Sequence, residues 1–226
     1  MPSARAKSAP RWLRRKDERP RELIAAALQL FVERGFAATR LEDVAARAGV
    51  SKGTLYLYFA SKEELFRAVV RRGLVESIEM GEDLVKEFRG GSIELLEVLL
   101  RGWWDLIVQS PYSGIPKLVI SEAGNFPELA RFYFDEVIQR GSRLVVKVLE
   151  RGIEAGELAP TDVRYLPRVA VAPIVMAAIW KHSFASLELP SLSDAAYLET
   201  HLATLFRGIA RGGCETPSGE NRSGHP

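Results

Sequence analysis

The chain has 226 residues, 47% hydrophobic and 27% charged, with a net charge of +2, which describes a folded globular chain with one or two cores and excludes global disorder. Its longest charge-free stretch in the second half, residues 169–180, is twelve residues long, short of the ~20 apolar residues that a membrane-crossing helix needs. Residues 1–21 are basic without a following apolar stretch, and the lone cysteine, Cys214, has no partner for an internal disulfide, so no membrane span, secretory signal or disulfide framework is expected and the address is cytoplasmic.

The small net charge hides an asymmetry. Residues 1–72 hold 16 Lys/Arg against 8 Asp/Glu, a net of +8, whereas residues 73–226 hold 15 against 21, a net of −6. A basic front suggests contact with a polyanion, and the acidic rear suggests a different task. Residues 1–19 carry seven Arg/Lys and two prolines and are expected to be a flexible basic arm. From Pro20, which suits a helix start, Leu23, Ile24, Ala27, Leu28 and Phe31 recur at helical spacing until Gly35 supplies a stop. Thr39 and Glu42 have capping-box spacing and open a short second helix whose buried stripe is Leu41, Val44, Ala45 and Ala48, ending at Gly49. Ser51 is placed to cap a third helix over 52–59, with Leu55 and Phe59 inward and Gly53, Thr54, Tyr56 and Leu57 outward. Ser61 and Glu64 form a second capping box and start a long helix that runs to about Phe88. Beyond Gly90 and Gly91, helices are predicted over 92–109, 116–124, 127–155, 162–186 and 193–211, with prolines at the joints, and residues 212–226 are expected to be a disordered tail. No strand pattern competes, so the predicted class is all-α.

Two short helices joined by a tight glycine turn, the second with a polar and aromatic outer face, make a helix-turn-helix, which lays one helix in the DNA major groove. The run LIAAALQLFVERGFAATRLEDVAARAGVSKGTLYLYFASKEELFRAVV closely resembles the DNA-binding region of the TetR family of bacterial transcriptional regulators. The resemblance rests on the Gly35-Phe36 turn, the turn from Ala48 to Ser51, Gly53-Thr54-Leu55-Tyr56, Tyr58-Phe59, and the segment from Ser61 to Leu65 at matching spacing. It supports roles that the residue chemistry already suggests. Thr39 and Arg40 at the second helix start favour a phosphate. Ser51, Lys52 and Thr54 sit at the recognition-helix start, where Lys52 and Thr54 reach base edges or phosphates, and Gly53 lets the backbone approach. Tyr56 and Tyr58 donate to phosphate oxygens, Leu57 meets a thymine methyl, and Lys62 adds a charge at the next helix start. Arg11, Arg14, Arg15 and Lys16 of the arm would add minor-groove or backbone contacts. Leu57 departs from the family, where this position is often polar, and leucine reads no base by hydrogen bonding. The Gly49 to Thr54 segment superficially looks like a phosphate loop, but its Lys-Gly-Thr order and the lack of a preceding strand exclude that reading.

The resemblance implies that the rear helices form an effector-binding and dimerisation domain. The segments 116–123 and 125–132 resemble the effector domains of the AcrR- and AefR-like branch. The expected division is therefore arm 1–19, DNA-binding domain 20–66, ligand-binding and dimerisation domain 67–211, and tail 212–226. Apolar pockets between helices need aromatic walls, and Trp104, Phe126, Tyr133 and Trp180 are the candidates, with Glu122 as a hydrogen-bonding group. The predicted helix over 163–184, from Val163 to Phe184, is apolar around its circumference and should be buried on all sides. A second copy of the chain supplies that burial, with the helix over 198–209 (Leu198 to Ile209) beside it. No cofactor or metal is expected. The histidines His182, His201 and His225 are dispersed, and no metalloprotease, hydrolase or metal-spaced cysteine motif is present. The expected function is a dimeric repressor on a palindromic operator, released by a small apolar or amphipathic effector. The alternatives are a ligand-independent architectural DNA-binding protein, or an enzyme using the rear pocket.

Overall fold

The structure is a computed structural model that describes residues 11–187 and 193–211, with backbone alone for 11–17. Among the described residues it is all-helical apart from one isolated antiparallel bridge between Leu158 and Ala210. The helices are α1 (Arg11–Arg34), α2 (Leu41–Arg47), α3 (Lys52–Tyr56), α4 (Lys62–Val70), α5 (Glu76–Glu87), α6 (Ser92–Trp104), α7 (Ile115–Glu122), α8 (Pro127–Tyr133), α9 (Arg140–Glu154), α10 (Leu166–Lys181) and α11 (Asp194–Ile209). Three wide π-turns, Arg71–Val75, Asp105–Gln109 and Phe134–Gln139, interrupt or end what periodicity predicts as plain helices.

The first helix begins upstream of expectation, at Arg11, so residues 11–19 of the predicted arm are helical and Pro20 lies inside α1. A proline there removes one intrahelical hydrogen bond, while the flanking Arg and Glu residues are good helix formers. Residues 1–10 and the tail 212–226, with Cys214 and His225, lie outside the described residues, as do the arm side chains up to residue 17. Gly35 and Gly49 take left-handed φ values of 84° and 65°, the conformation that stops α1 and α2 without the steric cost a side chain would bring.

Of the three caps predicted, two form. Ser51 accepts from the Thr54 amide at 3.1 Å, and Ser61 accepts from that of Glu64 at 3.1 Å, as spacing predicts. The Thr39 box does not form. Arg40 is the N-cap residue of α2 and has no side-chain cap bond. Thr39 is 1% exposed, and its hydroxyl donates to the Gly35 carbonyl at 2.7 Å, with the Leu30 carbonyl at 3.2 Å. Buried between the end of α1 and the start of α4, that hydroxyl meets carbonyls rather than the amides of α2.

Apolar residues gather in two cores. One joins α1 to α4 with Ile115, Leu118, Leu129 and Tyr133, so the front helices close their core with side chains from α7 and α8. The other is built by α5, α6, α9, α10 and α11 around Leu96, Leu100, Val145 and Ile174. Ile107 and Val137, both in π-turns, pack against both cores and mark the seam between them. The helix expected to be buried all round buries one stripe within its own chain, Pro167, Ala170, Ile174 and Ala178, and leaves Tyr165, Val169, Met176 and Trp180 exposed.

Candidate nucleic-acid interface

The site is built by α2, the turn after it, and α3. Leu55 and Phe59 sink into the first core, and this fixes the rotation of α3 about its axis. Tyr56 and Leu57 are then left pointing out, 45% and 82% exposed. A leucine that exposed costs solvation free energy of order 1–2 kcal/mol unless a partner covers it. Thr54 is half-buried, and its hydroxyl lies 2.8 Å from that of Ser51. Ser51, Lys52 and Gly53 are exposed beside them, and Tyr58 is half-buried against the core. The third helix is shorter than predicted and ends at Tyr56. The Tyr58 and Phe59 amides still bond the Leu55 carbonyl, at 2.9 and 3.0 Å, so a further hydrogen-bonded turn follows it.

The cations around this face are placed less uniformly than their positions in the sequence suggest. Arg40 is exposed at the start of α2. Lys52 forms an ion pair with Glu42 and lies 5.7 Å from the Tyr56 ring centroid. Arg47 bonds Glu33 at 2.7 Å, and Arg34 bonds Asp43 at 3.1 Å.

Lys62 was expected at a phosphate, and in this structure its ammonium is turned inward. Its ammonium donates to the carbonyls of Phe36, Ala37 and Thr39 at 2.8, 3.0 and 3.0 Å, and sits 4.6 Å from the Phe36 ring centroid. An ammonium has three donors, so none is left for DNA in this arrangement. Burial pushes its pKa below the usual lysine value. Thr39 is likewise turned inward, its hydroxyl buried and engaged internally. Lys62 is thus the tie that fixes the α1–α2 turn to α4, a role that spacing alone does not reveal.

The turn held by Lys62 is gripped from the other side by the rear helices. Glu122, at the end of α7, accepts a hydrogen bond from the Ala37 amide at 3.2 Å. Phe126 lies edge-on to Phe36, with centroids 4.8 Å apart. Phe132 of α8 packs against the guanidinium groups of Arg67 and Arg71, which lie 5.6 and 5.3 Å from its ring centroid. Glu122 and Phe126 share a cavity of about 10 Å³ with Phe36, Phe66 and Leu118, room for roughly one water.

The other candidate pocket residues lie elsewhere. Trp104 is buried in the second core and stacks on Tyr197 at 5.9 Å. Tyr133 is buried in the first core near the seam, and burial raises its phenol pKa. Trp180 is 45% exposed on α10 and packs on Phe184. The five residues are therefore distributed over the interdomain junction, the two cores and the open face of α10. The contact of Phe132 with Arg67 and Arg71 has no local sequence signal, because its partners lie some sixty residues apart in the chain. No described helix is long and apolar enough to cross a membrane.

Comparison with known proteins agrees with this geometry. The family model described as "Bacterial regulatory proteins, tetR family" matches residues 23–69, and the "Tetracyclin repressor-like, C-terminal domain" matches residues 94–189. The uncharacterised HTH-type transcriptional regulator YfiR of Bacillus subtilis is 31% identical over 152 residues, 65% of this chain and 71% of that protein. The HTH-type transcriptional repressor KstR2 of Mycobacterium tuberculosis is 31% identical over 140 residues, 62% of this chain and 68% of its own. The solved structure of that ketosteroid transcriptional regulator superposes with a TM-score of 0.64 at 27% identity, covering 85% of this chain and 95% of its own. The regulator FadR of Bacillus subtilis, solved in complex with stearoyl-CoA, shares the fold with a TM-score of 0.66 at 21% identity, covering 86% and 99%.

Proposed function

Because the chain belongs to the TetR family of bacterial regulatory proteins, we propose that this DNA-binding transcriptional regulator is a cytoplasmic homodimeric repressor of a palindromic operator, released by a small apolar or amphipathic effector. The observation that carries this reading is the outward face of α3, where a leucine and a tyrosine stand exposed while their neighbours anchor the helix in the core. An exposed apolar face on a short helix at the basic end of the chain suits the major groove, where thymine methyls and phosphate oxygens lie together. Arg40, Ser51, Lys52, Gly53, Thr54, Tyr56, Leu57 and Tyr58 form the proposed contact set, with residues 20–66 as the DNA head and 67–211 as the ligand-binding and dimerisation unit.

The dimer reading is supported by the open stripe Tyr165, Val169, Met176 and Trp180 of α10. Two copies placing these stripes together beside α11 form a four-helix interface with twofold symmetry. Each dimer then presents two recognition helices to successive major grooves. The effector is assigned to the seam between the two cores, around Ile107, Tyr133 and Val137, where apolar side chains of both cores meet and two π-turns widen the helices. The ketosteroid regulator among the similar proteins agrees with an apolar effector. An effector at the seam would push on α7 and α8, which hold the α1–α2 turn through Glu122 and Phe126. Coupling of about 1–3 kcal/mol would change operator affinity by roughly 5- to 150-fold.

Selection of bound duplexes from a random pool, followed by a ligand screen for release from the winning site, tests the whole reading. A twofold-symmetric winning site and release by an apolar compound are expected. Failure to enrich any duplex would end the DNA-binding proposal. A complex insensitive to every compound would favour a ligand-independent architectural protein.

A further inference from the structure

The ion pair between Glu42 and Lys52 joins the first turn of α2 to the first turn of α3 on the face assigned to DNA. Both side chains are at least half exposed, so the core does not require the pair. Tyr56 flanks the same ammonium. Charge pairing lowers the Glu42 carboxyl pKa and raises that of Lys52. Neighbouring cations are engaged in the same way, Arg47 by Glu33 and Lys62 by three carbonyls. Among the described residues from 35 to 62, Arg40 is the one cation with no ion pair or carbonyl bond in the structure.

A lysine that must leave a carboxylate to meet a phosphate gains little by the exchange, and the carboxylate left behind repels the duplex. Sequence-independent affinity grows with the number of phosphates neutralised, so a compensated pair contributes little to it. Base edges differ. An ammonium has three donors, so Lys52 is able to keep Glu42 while donating to a guanine O6 or N7, and the carboxylate is able to accept from a cytosine amino group. The pair is therefore poorly matched to phosphate alone and well matched to a G·C edge.

We infer that Glu42 is a specificity-determining residue of the DNA head: it reserves Lys52 for base edges and penalises duplexes that offer only phosphate. This rests on the DNA-binding reading above. The test measures binding of the full chain to a random-sequence duplex and to the selected operator over a range of KCl concentrations. The variants are E42Q, the double variant E42Q/K52Q, and D83N, which removes the same charge at a carboxylate of α5 paired with Lys86. E42Q should tighten random-duplex binding by about eightfold per engaged protomer at ~0.1 M salt and steepen the salt slope by about 0.9 per protomer. The operator should gain less, so discrimination falls. In E42Q/K52Q the gain should vanish, and D83N should behave as wild type. Unchanged or weaker random-duplex binding by E42Q, an equal gain in D83N, or a gain that survives in the double variant overturns the inference. A wild-type protein that ignores both duplexes ends the DNA-binding reading as well, which separates the two failures.

Discussion

At the scale of single residues, the same functional-group chemistry serves different ends depending on burial. Lys62 and Lys52 both stand at a helix start, yet one ammonium closes a turn and the other faces solvent beside a carboxylate. Replacing Lys62 by methionine keeps the aliphatic stem and removes three hydrogen bonds to carbonyls, two of them part-buried. The expected loss is about 1–3 kcal/mol of stability, read from urea unfolding. Affinity for every duplex should fall while the salt slope of binding stays at the wild-type value, because no phosphate contact is removed. A flattened slope would return Lys62 to the phosphate contact expected from its place in the sequence. Spacing identified Ser51 and Ser61 as caps because an N-cap bond is local, spanning three residues. It misassigned Thr39 because the carbonyls that claim its hydroxyl are set by how α1 folds back over it.

At the scale of elements, the informative contacts join helices distant in sequence. The Glu122 carboxylate holds the Ala37 amide, so Glu122→Ala should speed hydrogen exchange of the backbone over 35–39, with far-UV dichroism unchanged. Unaltered protection there would mean that α7 does not steady the turn. A second link joins the turn Pro111–Gly114 to the end of α10, where the Ser113 hydroxyl and His182 Nε2 lie 2.8 Å apart. Burial, and then the neighbouring Lys181 and Lys117, hold the His182 pKa below its usual value. As pH falls, the unfolded chain takes up this proton at about pH 6.5, before the folded chain does. The stabilising contribution is thus complete at neutral pH and above, and is lost as pH falls from about 6.5 through the lower folded-state value. Unfolding free energies measured from pH 7.5 down to pH 5 should fall more steeply for wild type than for His182→Gln. Parallel profiles would rule out His182 as the titrating group.

At the scale of the whole molecule, one face of α10 is exposed among the described residues. Val169 and Met176 lie near its centre, 57% and 52% exposed. Aspartate at both positions should shift sedimentation from dimer to monomer and reduce operator affinity by about 10²–10⁴-fold, to the level of one head on one half-site. A persistent dimer would place the twofold interface elsewhere. The apolar composition of this helix is plain in the sequence. Which stripe turns inward is not, because Val169 and Ala170 are alike in polarity and only packing against α6, α9 and α11 separates them.

The sequence by itself determined the helical class, the glycine stops, two of the three caps, and the outward face of the recognition helix, because each follows from interactions within a few neighbouring residues. Tertiary structure alone decided which cations are engaged internally, that α7 and α8 complete the front core, and that the π-turn residues Ile107 and Val137 form the seam. Those outcomes depend on which surfaces meet when helices far apart in the chain pack together. A local residue pattern carries no record of that distance.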